Sequence, residues 1–172
     1  MADAVFKPTY PAAGKAVAIN FKDLASSATA GRESTTVDNT TDRYDALWLA
    51  VTAKSAAGTP GADGVLYVYA YATALNAAGN AEILPTPLTG TATANNATIT
   101  PQLDKLYYVG AVKMAAAATT YTKIFNLSAA FGGVIPRKWG IVIINYTNLA
   151  MSATESDCSM IYYGQNITAV TS

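Results

Sequence analysis

Histidine, the commonest proton shuttle and metal ligand, is absent from all 172 residues. A Ser-His-Asp or Cys-His constellation and a His-ligated zinc or iron site are therefore excluded within one chain. Carboxylates, a cysteine and aromatics remain as candidates for chemistry. The acidic residues are scattered, from Asp23 and Glu33 through Asp63, Glu82 and Asp104 to Glu155 and Asp157. Glycoside cleavage needs two carboxyl groups facing each other about 5–9.5 Å apart, whereas most of these sit at turns or strand starts, where Asp and Glu are solvated. The densest group is DNTTDRYD at 38–45, with Asp38, Asp42 and Asp45 around Arg43. An EF-hand calcium loop requires DxDxDG followed by Glu, so this segment reads as a turn with a local Arg–Asp pair. Cys158 is the only cysteine, with no basic activator beside it. It reads as a small packing residue, and a disulfide framework within the chain is excluded. No catalytic residue, metal site or cofactor is expected.

The aromatics are more suggestive. In VLYVYAYAT, residues 65–73, strand alternation sets Tyr67, Tyr69 and Tyr71 on one face and Leu66, Val68 and Ala70 on the other. Either the rings pack laterally on cross-strand neighbours with their hydroxyls in water, or they form an interface or sugar-stacking platform. Trp48 is the further stacking candidate.

Charge bounds the partners. Only 13% of residues are charged, against 51% hydrophobic, and the 11 basic and 11 acidic residues cancel. That is about half the usual charged fraction, so further surface is expected to be buried in a homo-oligomer. Neutrality removes the basic footprint of a nucleic-acid binder. No apolar run approaches the roughly 20 residues of a membrane helix, and no membrane association is expected. The first residues lack the apolar core of a secretory signal, and folding in a reducing cytoplasm is expected.

The elements that position these residues are read as strands. FGGVIPRKWGIVIINYT at 131–147 holds four consecutive β-branched aliphatics, which favour extended backbone. It reads as a strand buried on both faces, with Trp139, Ile141, Val142, Ile143 and Ile144 as core and a layer above and below. In YDALWLAVTAK, 44–54, Leu47, Leu49 and Val51 oppose Trp48. Further strands are expected at 15–21, at 32–38 as an exposed polar edge, at 119–127 and at 158–164. In 105–114, Leu106, Tyr108, Val112 and Met114 share one face, and Gly110 marks a bulge or a close approach. A long loop spans 76–97 with a short strand at 82–84, and 97–103 reads as a short strand interrupted at Pro101. The sum is an all-β chain of eight or nine strands, a single antiparallel, jelly-roll-like β-sandwich over residues 15–172. Residues 1–14, with Pro8, Pro11 and Gly14, read as an extended arm without regular structure.

Several of these pieces resemble small structural proteins of tailed-bacteriophage virions. They are the arm-like start, the hairpin YDALWLAVTAK…GVLYVYAYAT, and above all KIFNLSAAFGGVIPRKWGIVIINYTNLAMSATES at 123–156 followed by MIYYGQN at 160–166. The resemblance implies a β-sandwich that docks on the capsid lattice or the tail and performs no chemistry. A capsid decoration (cement) protein is the leading expectation. A neck, collar or tail-associated protein and a carbohydrate- or receptor-binding module are the alternatives. The implied partners are further copies of the chain, a trimer included, and the major capsid protein or neck and tail proteins. The implied location is the virion, after folding in the host cytoplasm.

Overall fold

Apolar–polar alternation becomes strand along most of the chain, and helix is confined to short turns. The computed structural model describes residues 4–79, 81–92 and 100–171. Its strands are β1 (Ala4–Thr9), β2 (Lys15–Ala16), β3 (Gly31–Glu33), β4 (Val37–Asp38), β5 (Ala46–Lys54) and β6 (Val65–Ala72). They continue as β7 (Ala74–Leu75), β8 (Glu82–Ile83), β9 (Tyr107–Lys113), β10 (Thr120–Asn126), β11 (Lys138–Tyr146) and β12 (Ser159–Thr171). One α-helical turn, α1 (Leu127–Ala130), and two 3-10 turns, Thr100–Lys105 and Glu155–Asp157, interrupt them. Strand at 44% and helix at 7% place the chain in the all-β class. Twelve strands among the described residues replace the eight or nine expected. The surplus comes from two- and three-residue pieces too short to show alternation.

Pairing is antiparallel and nested. β1 pairs with β12, β3 and β4 with β11, β5 with β10, and β6 with β9. Two further pairings, β5 with β12 and β6 with β11, join these into two sheets. One runs β1-β12-β5-β10 with β2 beside β12, and the other runs β3-β11-β6-β9 with β4 beside β11. β7 and β8 form a separate hairpin.

Strand β11 is buried on both faces, as its Ile-Val-Ile-Ile run requires. Trp139, Ile141 and Ile143 join Leu47 and Leu49 of β5 and Met160 of β12 in the main core, which draws on both sheets. Val142 and Ile144 point the other way, into a second cluster with Tyr71 and Leu88. Each such buried aliphatic is stabilising by about 1.5–3 kcal/mol. The outer layer over Val142 is not a sheet. It comes from described residues between β8 and β9, where Leu88 belongs to the cluster and Leu84, Leu103 and Leu106 pack against it.

A polar latch holds that layer down. The Thr89 backbone N–H and hydroxyl donate to the Glu33 carboxylate at 3.0 and 2.6 Å, and the Thr36 N–H donates to the Gly90 carbonyl at 3.0 Å. Glu33 is thereby fully buried, so the segment 32–38 lies at the sheet edge as expected but is split into β3 and β4 and is not the exposed strand expected. A second polar closure follows β11. The Asn145 amide donates to the carbonyls of Leu24 and Leu149 at 2.8 and 2.7 Å, and its Oδ1 accepts from the Thr147 N–H and hydroxyl. Every polar group in this buried turn is thus occupied by a partner, as low-dielectric surroundings demand.

Other expectations are corrected by long-range pairing. Residues 4–9 of the supposed arm form edge strand β1 against the end of β12, while residues 1–3 lie outside the described residues. The strand expected at 15–21 shrinks to β2, and the last strand runs on past 164 to Thr171. Thr100–Lys105 is a 3-10 turn, and 97–99 lie outside the described residues. Gly110 does sit at a bulge, where the register slips between Val68 and Tyr69. The bulge reverses the side-chain phase of β9, because one extra residue exchanges the two faces. Val112 and Met114 enter the main core while Tyr108 lies on the outer face. The four residues expected to share a face are therefore split.

Candidate interaction faces

The tyrosine face belongs to β6. Tyr67 and Tyr69 are half-buried on the outside of the β3-β11-β6-β9 sheet, and the structure adds two rings that sequence reasoning missed. Tyr108 of β9 lies 5.5 Å from Tyr69, and Tyr146 of β11 lies 5.9 Å from Tyr67, edge-on at 72°. Tyr146 was legible from parity, since it follows Val142 and Ile144 on alternate positions of β11. Tyr108 was hidden by the bulge. With Ala28, Leu103 and Ile144, three of the rings (Tyr67, Tyr69 and Tyr146) line a groove of about 320 Å³. Edge-to-face and tilted contacts at such separations are the favoured aromatic geometry. Burial, and then the neighbouring Tyr108 and Tyr67, push the Tyr69 hydroxyl above the ordinary tyrosine range.

Tyr71 does not belong to this face as a contact residue. It is fully buried beneath the covering layer, and its hydroxyl donates to the Ser34 carbonyl at 2.9 Å. Its ring lies over Gly140, where a Cβ would overlap the ring atoms. The candidate platform therefore loses its third tyrosine. Burial pushes the Tyr71 hydroxyl up to about 12. An unfolded tyrosine ionises near pH 10. The stabilisation from keeping Tyr71 neutral is thus complete below about pH 10 and is lost as pH rises through about 12. Tyr71→Phe is expected to lower stability at pH 7 by about 1–3 kcal/mol, by leaving the Ser34 carbonyl unpaired. It should also flatten the alkaline loss, as read from denaturant unfolding between pH 8 and 11.

Trp48 lies elsewhere. It is half-buried on the outside of the other sheet, so the structure does not bring it together with Tyr67 and Tyr69. The register places Tyr163 of β12 and Asn126 of β10 on either side of Trp48. The next row along is Ile161, Ala50 and Ile124, and the one after is Ser159, Thr52 and Thr122. In the other direction Ile167 pairs with Pro8, and Ala169 with Phe6. Ile124 is 64% exposed, Ile167 55% and Phe6 70%. No charged side chain interrupts the three rows from Trp48 to Thr52, while the Asp45 carboxylate lies beside Ile167. Charges lie at the margin, where Lys54 pairs with Asp157 at 3.1 Å. An uncharged face with this many exposed large side chains is the kind of surface that marks an interaction site.

The sequence of this chain matches no protein-family model and no curated protein.

The acidic turn at 38–45 is dispersed among separate partners. Asp42 pairs with Lys15 at 2.6 Å, Asp38 with Lys138 at 3.5 Å, and Asp45 accepts from the Ile167 N–H at 2.7 Å. Arg43 instead donates from Nε to the Thr40 carbonyl at 3.2 Å, so the expected Arg–Asp pair does not form. The Asp42 hydrogen bond raises the pKa of Lys15, and contacts with Thr40 lower that of Asp38. Among the described residues, no group of three or more His, Cys, Asp or Glu is placed to hold a metal ion. Cys158 is buried, and burial pushes its thiol up, away from the reactive thiolate. Among the described residues no helix is long and apolar enough to cross a membrane.

Proposed function

We propose that this chain is a non-enzymatic virion structural protein, a capsid decoration protein that associates with copies of itself. The observation that carries the reading is the uncharged outer face around Trp48, Ile124, Ile161 and Tyr163. A face without charge suits a second copy of itself, because two-fold pairing sets each patch against its own image and would oppose any like charges on it. The sparse and balanced charge of the whole chain favours the same occupant. Such a pair is a two-fold dimer, in place of the trimer that the phage resemblance admits.

The same reading includes the fold as a jelly-roll β-sandwich. Counting β3 with β4 as one, the eight principal strands pair first with last, second with seventh, third with sixth and fourth with fifth. That nesting is the pattern of a hairpin ribbon rolled into two sheets, and the core shared by both sheets supports it. A rigid two-layer body of this kind bridges neighbours mechanically and needs no reactive group.

The carbohydrate-binding alternative rests on Tyr67 and Tyr69, whose rings are already engaged with Tyr108 and Tyr146. The test is the number of copies of the chain in purified virions relative to the major capsid protein. A ratio set by the capsid lattice supports decoration, and a few copies per particle would favour a neck or tail position. Absence from the particle would overturn the proposal, and affinity for host polysaccharide would then favour the binding module.

A further inference from the structure

Two of the three arginines in the chain line one cavity, apart from both faces described above. The cavity measures about 450 Å³ and is bounded by Asn39, Thr40, Arg43, Tyr44, Ile135 and Arg137. Its walls are two segments, the turn between β4 and β5 and the residues leading into β11. They are tied together, because the Asn39 N–H donates to the Arg137 carbonyl at 2.9 Å. Asn39 is itself buried, and its side chain holds both the N–H and the carbonyl of Tyr44.

The arginines are placed but not neutralised. Arg43 adopts φ 50°, a left-handed conformation that non-glycine residues seldom take. Its backbone N–H donates to the Asn39 carbonyl at 2.9 Å and its Nε to the Thr40 carbonyl at 3.2 Å. The terminal guanidinium nitrogens form no ion pair among the described residues. Arg137 is exposed and likewise forms no ion pair among the described residues. The acids of the turn are already engaged, Asp38 and Asp42 by lysines and Asp45 by a backbone N–H, and Glu82, whose carboxylate also feels the Arg137 charge, is held by Lys138 at 3.0 Å and by the Thr73 hydroxyl. Two arginines therefore line one cavity, and neither forms an ion pair among the described residues.

We propose that this cavity binds a phosphate-class oxyanion, as free phosphate or as a small phosphate monoester. A planar guanidinium offers paired N–H donors that match oxyanion geometry. Two of them balance a group carrying about −1.5 to −2 charges at neutral pH, whereas a carboxylate would balance one. The Ile135 and Tyr44 side of the cavity leaves room for the organic part of an ester. This site is independent of the self-association face, and neither proposal rests on the other.

The test is calorimetric titration of the full chain at pH 7.5 and constant ionic strength, with inorganic phosphate, phenyl phosphate and, as control, chloride. Saturable one-site binding of phosphate is expected, weakened about tenfold in Arg43→Gln and in Arg137→Gln through loss of charge-assisted hydrogen bonds. Both side chains are exposed, and unchanged circular dichroism of the variants would confirm that the fold is kept. Tighter binding of phenyl phosphate assigns the site to a monoester, and equal or weaker binding assigns it to free phosphate. Phosphate behaving like chloride, or both variants binding as the unaltered chain does, would overturn the proposal.

Discussion

Trp139→Ala is expected to destabilise the chain by about 3–5 kcal/mol, a large share of the roughly 5–15 kcal/mol that keeps a domain folded. Trp139 is fully buried at the start of β11, paired with Ala72 of β6 and Val37 of β4. Its ring meets Tyr162 of the opposite sheet edge-on, with centroids 5.3 Å apart at 85°. Truncation would therefore open a cavity where the two sheets share their core. The indole N–H has no hydrogen-bond partner among the described residues, and the buried ring is the contact that the structure shows. Trp139→Phe should accordingly retain most of the stability. Denaturant unfolding of the two variants measures this, and equal losses in both would show that ring burial is not what holds β11.

A charge placed on the uncharged face should abolish self-association without unfolding the chain. Ile124 is 64% exposed and Ile161 38%, in one row across Ala50. Lysine at either position keeps its stem on the sheet and its ammonium in water, so the free chain is little affected. In a two-fold pair the same ammonium is buried against an uncharged patch with no partner, and an unpaired buried charge weakens association by several kcal/mol. Sedimentation velocity of Ile124→Lys and Ile161→Lys is expected to give monomer where the unaltered chain gives dimer, with unchanged melting. A dimer that persists in both variants would place the contact on another surface.

The parts of this fold that were legible in the sequence are those with local causes. Four β-branched residues in a row require burial on both faces, and β11 is buried on both. Gly110 announced a bulge, but the place of the register slip, which sets the face of Tyr108, has no local signal. The layer over Val142 was not legible, because Leu84, Leu88, Leu103 and Leu106 are strewn along a Pro- and Gly-containing connection without periodicity. For the same reason Tyr71 could not be told from Tyr67 and Tyr69. All three share one parity, and only a distant segment buries the third. The pairing of residues 4–9 with 166–171 was hidden by its separation, since no local pattern encodes so remote a partner. The uncharged face was readable only in fragments, as it draws Trp48, Ile124 and Tyr163 from three strands that the sequence could not place side by side. Arg43 and Arg137 likewise met only in the folded chain.

The central claim, a structural role in a virion, is tested most directly by quantitative mass spectrometry of purified particles. The account predicts a fixed molar ratio of this chain to the major capsid protein, set by the lattice and unchanged by further purification. A particle that carries none of the chain would contradict it.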